Sequence, residues 1–134
     1  MPTIKLAIAE DHLRYREILK SLLNLEQKIN VVLEADNGAE LLEKLESHEV
    51  DIVLLDYRMP IMDGLETLKE IQVSFPHVKT IINTSIQESL IVREFKQSGA
   101  NSFILKDADF GVLIDTIWEV YENDYCYNDI FFFE

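Results

Sequence analysis

Four consecutive aliphatic residues, 52–55, end directly at an acid, Asp56. An unbroken apolar run of this length predicts a strand that is covered on both faces, as in a parallel sheet. Pro60 fixes its own φ angle and disfavours helix at the residue before it, so the chain must leave this strand in a loop. Ligands bind at the carboxyl ends of parallel strands in open α/β sheets. Asp56 is therefore either a functional acid or an ordinary cap of its loop.

The rest of the chain alternates between short apolar segments and amphipathic ones. Apolar patterning predicts strands at 4–9, 29–35, 52–55, 80–83 and 102–105, and helices at 13–25, 39–46, 64–74, 88–98 and 109–121. Asp11 is expected to cap the first helix, and Gly99 to end the fourth. Five strands that alternate with five helices over short connections predict one α/β domain, a doubly wound parallel sheet with helices on both faces.

Composition narrows the function classes. The 134 residues include 25 acids against 12 lysines and arginines, a net charge of −13. This charge argues against binding of nucleic acid or an anionic membrane by the surface of this segment. The single cysteine, Cys126, cannot form an internal disulfide, which fits a reducing compartment. The chain has no apolar run long enough to span a membrane and no signal-peptide pattern, so we expect a cytoplasmic protein.

Polar residues with complementary chemistry follow four of the predicted strands. Glu10 and Asp11 follow the first strand, Asp56 the third, Thr84 the fourth and Lys106 the fifth. Each residue alone has an ordinary explanation as a cap, a loop hydroxyl or a solvated charge. At one edge of a parallel sheet, however, three carboxylates would repel each other unless a cation joined them, and hard oxygen ligands suit Mg²⁺. A carboxylate there can attack phosphorus, while a lysine and a hydroxyl stabilise the phosphoryl oxygens.

These residues, together with Met59-Pro60, Asp63-Gly64 and Gly99-Ala100, resemble the pattern of response-regulator receiver domains of two-component signalling. The resemblance extends from about residue 3 to residue 123. It implies a flavodoxin-like fold with the strand order 2-1-3-4-5. It also implies a receiver domain at 1–123, followed by a tail at 124–134 that begins a linker to a missing output domain.

The resemblance implies a metal site and a phosphoacceptor. Asp56 matches the phosphoacceptor of the family. Glu10 and Asp11 match the acidic pair that helps to hold Mg²⁺, with Asp11 as the more direct ligand. Arg58 matches the position whose backbone carbonyl completes the metal site.

The resemblance also implies a switch. Thr84 matches the hydroxyl that turns toward the phosphoryl group, and Lys106 matches the lysine that pairs with it. Phe103 matches an aromatic residue that moves inward upon phosphorylation, although a plain core aromatic residue explains it as well. Asp107 departs from the proline that many members have after the lysine.

The implied function is a phosphorylation-activated switch whose partner is a sensor histidine kinase. Residues 103–107 resemble the branch that precedes a helix-turn-helix domain, which favours control of transcription. A stand-alone regulator that acts by protein contact is the alternative. The sequence does not distinguish a homodimer formed through the fourth and fifth helices from one formed through the first and fifth.

Two other classes of function fit these residues less well. A haloacid-dehalogenase-type phosphatase needs a second aspartate two residues after its nucleophile, but Arg58 stands there, so no turnover enzyme is expected. A flavin-binding module would need a phosphate loop after the first strand, where Glu10 and Asp11 would repel the phosphate.

Overall fold

A computed structural model describes residues 3–126 as one parallel five-stranded sheet. The strands are β1 (Ile4–Ala9), β2 (Ile29–Ala35), β3 (Ile52–Leu55), β4 (Lys79–Thr84) and β5 (Ser102–Leu105). Their order across the sheet is β2-β1-β3-β4-β5, and every neighbouring pair is parallel. The predicted doubly wound, flavodoxin-like fold is confirmed.

Five helices cover the two faces of this sheet. They are α1 (Leu13–Leu23), α2 (Gly38–Leu45), α3 (Gly64–Ser74), α4 (Ser89–Gln97) and α5 (Phe110–Asn123). Buried side chains of α1 and α5 form one hydrophobic core with the sheet, and those of α2, α3 and α4 form another on its opposite face. The sheet is therefore the only layer shared by both cores among the residues described.

The apolar run that ends at Asp56 divides its side chains between these two cores. Val53 and Leu55 join the core under α2, α3 and α4, whereas Ile52 and Leu54 join the core under α1 and α5. All four are buried. Successive side chains of a strand point to opposite faces, so a strand with a core on each side needs an apolar residue at every position.

The sequence located all ten elements, and α1 begins at residue 13 as predicted, but the predicted N-cap of this helix is wrong. His12, not Asp11, is the N-cap residue, it makes no side-chain capping bond, and Asp11 lies exposed in the loop. Ile18 and Leu25 belong to the apolar pattern that predicted this helix, yet 55% and 77% of their surfaces are exposed. The helix ends before Leu25. By contrast Gly99, with a φ of 101°, closes α4 as predicted.

Helix α3 begins directly beside Asp56. The side chain of Asp63 accepts a hydrogen bond from the Glu66 N–H at 2.9 Å, and Glu66 accepts one from the Asp63 N–H at 3.1 Å, a reciprocal cap. The Gly64 N–H donates to the carbonyl of Tyr57 at 2.7 Å. A β-carbon at position 64 would overlap the carbonyl oxygen of Asp56, so glycine is needed for this close approach.

The chain after α5 is tied to the start of β5. The side-chain amide of Asn101 donates to the carbonyl of Asp124 at 2.8 Å, and the Ser102 hydroxyl donates to the carbonyl of Cys126 at 2.7 Å. Residues 127–134 of the predicted tail lie outside the described residues, so the domain division at 123 and the linker remain predictions. Within 3–126, no helix combines the length and the apolar character needed to cross a membrane.

Two glycine substitutions test the packing of α3 against the strand end. We expect Gly64→Ala to lower the free energy of unfolding by about 1–3 kcal/mol, because the new methyl group meets backbone that cannot rotate away. Gly111→Ala is the matched control in α5: its β-carbon would meet no atom within 4 Å, and alanine should stabilise that helix by about 0.5 kcal/mol. Urea unfolding measures both changes. Equal stability of the two variants would contradict the close approach at Gly64.

Candidate functional site

Three carboxylates meet at the carboxyl edge of the sheet. One oxygen from each of Glu10, Asp11 and Asp56 lies within 4.8 Å of the others. Glu10 and Asp56 are only 3% and 6% exposed, whereas Asp11 is exposed and leaves the cluster open to solvent. Three hard oxygen donors with one side open to water are the donor set that a divalent cation such as Mg²⁺ takes. The cluster could therefore hold a metal ion.

The parallel pairing of β1 places these acids next to each other. One residue past the end of β1, the Glu10 N–H donates to the carbonyl of Ala35 at 3.0 Å. One residue past the end of β3, the Asp56 N–H donates to the carbonyl of Ala9 at 3.1 Å. The ladder thus continues through both acids, so their backbones are fixed by sheet geometry and not by a flexible loop.

Lys106 enters the acid cluster from the end of β5. Its Nζ lies 2.7 Å from Glu10 Oε1 and 3.0 Å from Asp56 Oδ2. The remaining oxygens are also bonded, because Glu10 Oε2 accepts from the His12 N–H at 3.0 Å and Asp56 Oδ1 accepts from the Tyr57 N–H at 2.7 Å. One ammonium group therefore balances two buried carboxylates.

The pKa values in this cluster follow from burial and charge. Burial raises the pKa of Glu10 above its ordinary value, and the nearby charge of Asp56 adds to this rise. The hydrogen bond from Lys106 favours the ionised form of Glu10 and opposes the rise. Burial opposes the charge of Lys106 too, but the hydrogen bonds and charges of Glu10 and Asp56 outweigh it and raise the pKa of the lysine. Lys106 is therefore charged, whereas burial opposes the ionisation of Glu10.

Thr84 and Phe103 lie on the neighbouring strands. The Thr84 hydroxyl is buried and accepts a hydrogen bond from the Ile86 N–H at 3.4 Å, within its own loop. Its carbonyl accepts from the Lys106 N–H at 3.0 Å, which joins the ends of β4 and β5. Phe103 is fully buried, with its ring centroid 5.9 Å from that of Phe95 in α4. This structure therefore already holds Phe103 in an inward position.

Arg58 lies on the solvent side of the site. It lines an open cleft together with Asp11, and its guanidinium carbon lies 5.8 Å from the ring centroid of Tyr57. The loop that follows is held by a tight turn, in which the Met62 N–H donates to the carbonyl of Pro60 at 2.7 Å while Ile61 has a φ of 71°. A positive φ is strained for a β-branched residue, so this loop has a constrained shape.

Tyr15 and Asn83 join the site although sequence reasoning did not select them. Lys106 Nζ lies 4.7 Å from the ring centroid of Tyr15, and the Asn83 amide donates to the Tyr15 hydroxyl at 2.8 Å. In the sequence, Tyr15 fits the apolar stripe of the first helix and carries no other signal. Its position could have identified it, because a polar aromatic residue one turn after Asp11 lies on the helix face that meets the strand ends.

A family model described as the response regulator receiver domain matches residues 6–118. The chain belongs to this family. Receiver domains and the regulators that carry them are signalling proteins rather than turnover enzymes. The chain therefore contains the receiver domain of a two-component response regulator.

Individual relatives agree with this assignment. The transcriptional regulatory protein LnrK of Bacillus subtilis is 37% identical over 118 residues, which are 88% of this chain and 54% of LnrK. The response regulator protein VraR of Staphylococcus saprophyticus is 31% identical over 90% of this chain and 58% of VraR. The chain thus spans little more than half the length of these curated relatives.

Solved structures show the same fold. The signal receiver domain of NarL from Mycobacterium tuberculosis has a TM-score of 0.87 and 31% identity, over 92% of this chain and 99% of that one. A DNA-binding response regulator of the LuxR family from Staphylococcus aureus has a TM-score of 0.83 and 29% identity, over 88% of this chain and 98% of that one.

The balance between Lys106 and the acids predicts a stability effect that depends on Mg²⁺. Lys106→Met should lower the free energy of unfolding by about 2 kcal/mol without Mg²⁺, because two buried carboxylates lose their cation. Saturating Mg²⁺ should then stabilise this variant more than the unsubstituted protein, since the ion replaces the lost charge. Thermal unfolding with and without Mg²⁺ measures both effects.

Lys20→Met is the matched control, because Lys20 pairs with Glu34 at 2.6 Å on a more exposed part of the surface. It should lower the free energy of unfolding by at most about 1 kcal/mol and should not change the response to Mg²⁺. The same Mg²⁺ response in the Lys106 and Lys20 variants would contradict the replacement of the lysine charge by the ion.

Proposed function

We propose that this chain is a phosphorylation-controlled switch in which Asp56 accepts a phosphoryl group from a sensor histidine kinase. The observation that carries the proposal is a buried carboxylate at a strand end, 3.0 Å from a charged lysine and grouped with two further acids. A capping role for Asp56 is disfavoured, because neither a loop cap nor a helix cap requires such a cluster.

The transfer uses residues with distinct roles. A carboxylate oxygen of Asp56 attacks phosphorus, and the bond from phosphorus to the histidine nitrogen of the kinase breaks, leaving an aspartyl phosphate. Lys106 donates to a phosphoryl oxygen and neutralises part of its charge. Glu10, Asp11, Asp56 and the backbone carbonyl of Arg58 would hold Mg²⁺. The ion would supply further positive charge at the phosphoryl oxygens.

Turnover is not expected, because the position that supplies the general acid in a haloacid-dehalogenase-type phosphatase holds no acid here. The residue two positions after Asp56 is Arg58, whose guanidinium group is permanently charged and lies against the Tyr57 ring. Water would hydrolyse the aspartyl phosphate slowly and return the switch to rest. A phosphatase of the haloacid-dehalogenase type is the second candidate, and steady release of phosphate from small esters would favour it.

The proposed state change runs through β4 and β5. The Thr84 hydroxyl accepts a long hydrogen bond, 3.4 Å, from the Ile86 N–H. It would give up this bond and donate to a phosphoryl oxygen. Phe103, which is already inward on the adjacent strand, would repack beside Thr84, so the altered surface would be the one made by α4, β5 and α5. A phosphoryl group that binds one arrangement better than the other shifts the population between them.

The output that we propose is control of transcription by a domain that follows the receiver. Relatives such as LnrK are transcriptional regulators and are nearly twice as long as the matched segment. A cytoplasmic location is part of this proposal, as is a homodimer formed through α4 and α5 or through α1 and α5. A stand-alone regulator that acts through protein contact is the alternative.

Incubation with acetyl phosphate and Mg²⁺ tests the acceptor. The unsubstituted protein should gain one phosphoryl group that is lost in strong acid, in base and on treatment with hydroxylamine, as acyl phosphates are, and Asp56→Asn should gain none. Asp115→Asn is the matched control, because Asp115 is an exposed acid of α5. Intact-protein mass spectrometry measures the gain.

A phosphoryl group gained by Asp56→Asn would show that another residue is the acceptor. An unchanged mass for the unsubstituted protein, together with no response to fluoroberyllate, would contradict the proposed function altogether.

A further inference from the structure

Tyr15, in the first turn of α1, contacts the ends of two strands. Lys106 Nζ lies 4.7 Å from the centroid of its ring, and its hydroxyl accepts a hydrogen bond from the Asn83 amide at 2.8 Å. Asn83 is buried in β4 and directly precedes Thr84. One side chain of α1 therefore touches both the lysine of the site and the strand that carries the proposed switch hydroxyl.

The contact with Lys106 is attractive. An ammonium group within about 6 Å of an aromatic centroid is drawn to the π electrons of the ring. Burial raises the pKa of the Tyr15 phenol above its ordinary value, so the ring stays neutral. The ammonium has three N–H donors, of which Glu10 and Asp56 accept two, so the ring adds a contact without competing for either carboxylate.

The two kinds of contact differ in how they respond when Asp56 changes. A hydrogen bond to the Asp56 carboxylate is directional and must break when that oxygen is esterified. Attraction to a ring face depends mainly on distance, so it survives a small displacement of the ammonium group. The long, flexible stem of a lysine otherwise leaves its head group free to leave the site for water.

We propose that Tyr15 is a positioning residue for Lys106: its ring keeps the ammonium group at the site while the lysine exchanges the Asp56 carboxylate for a phosphoryl oxygen. This inference rests on the proposed function of Asp56. The hydrogen bond from Asn83 is a separate contact, which joins the Tyr15 hydroxyl to β4.

The surroundings of Tyr15 allow its ring and its hydroxyl to be tested separately. Tyr15, Asn83 and Lys106 line a groove of about 120 Å³ between α1 and α5, and Ile18 lines the same groove but has no aromatic ring to offer Lys106. Tyr15→Phe keeps the ring and loses the hydroxyl, and water in the groove can then accept from Asn83. Tyr15→Leu loses the ring. Ile18→Ala is the matched control on α1.

The experiment measures the affinity of the whole chain for fluoroberyllate, a phosphoryl mimic, by calorimetry at saturating Mg²⁺. Tyr15→Leu should weaken this affinity about three- to tenfold, because Lys106 loses the attraction of the ring. Tyr15→Phe and Ile18→Ala should remain within about twofold of the unsubstituted protein. Thermal unfolding of each variant confirms that the affinities refer to folded protein.

A further measurement is independent of phosphorylation. The protons on Cε of Lys106 should resonate upfield in the unsubstituted protein and in Tyr15→Phe, because of the ring above them, and should lose this shift in Tyr15→Leu. Retention of the shift in Tyr15→Leu would contradict the ring contact.

The outcomes separate this inference from the proposed function. An unsubstituted protein that binds no fluoroberyllate contradicts both. An unsubstituted protein that binds it while Tyr15→Leu binds equally well contradicts the positioning role alone. Affinity that falls as far in Tyr15→Phe as in Tyr15→Leu would assign the effect to the hydroxyl and overturn the role of the ring.

Discussion

The salt bridges of Lys106 hold this carboxyl edge together. Glu10 and Asp56 are buried acids on adjacent strands, and without a cation between them their repulsion would oppose the pairing of β1 and β3 at that edge. The lysine comes from β5, at the far side of the sheet. These salt bridges thus join β5 to the ends of β1 and β3, with which it forms no hydrogen-bond ladder. The geometry of the site therefore depends on the whole sheet.

Each face of the sheet contributes differently to the site. The core under α2, α3 and α4 contains Phe95 and Phe103, whose packing links β5 to α4. The core under α1 and α5 meets the site through Tyr15, which packs against it and reaches Lys106. A change at Asp56 therefore reaches both layers of helices through one lysine and the strand end that carries it.

Much of this arrangement could be predicted from the sequence because parallel topology is a strong constraint. Once five strands alternate with five helices, the residues after each strand must share an edge, and Glu10, Asp56 and Lys106 were selected on that ground alone. Topology also selects Asp11 and Thr84, whereas the roles of Arg58 and Phe103 come from the family resemblance alone. Those roles remain proposals.

What the sequence could not give depends on the direction of individual side chains. Asp11 had the residue type of a helix cap, yet the chain begins α1 one residue later, which leaves this acid free to face the cluster. Tyr15 fits an apolar pattern as well as Leu would, and only the rotation of α1 about its axis shows that its hydroxyl and ring meet Asn83 and Lys106. Apolar periodicity carries no information on such polar contacts.

The attachment of residues 124–126 to the start of β5 connects this segment to the site through a single short strand. Asn101 and Ser102 bind this segment at the amino edge of the sheet, while Asp56 lies at the carboxyl edge. The four residues of β5 between them span about 13 Å. A displacement of Lys106 would thus move residues 124–126 through a short rod, and the stiffness of that rod would determine how much of the displacement they receive.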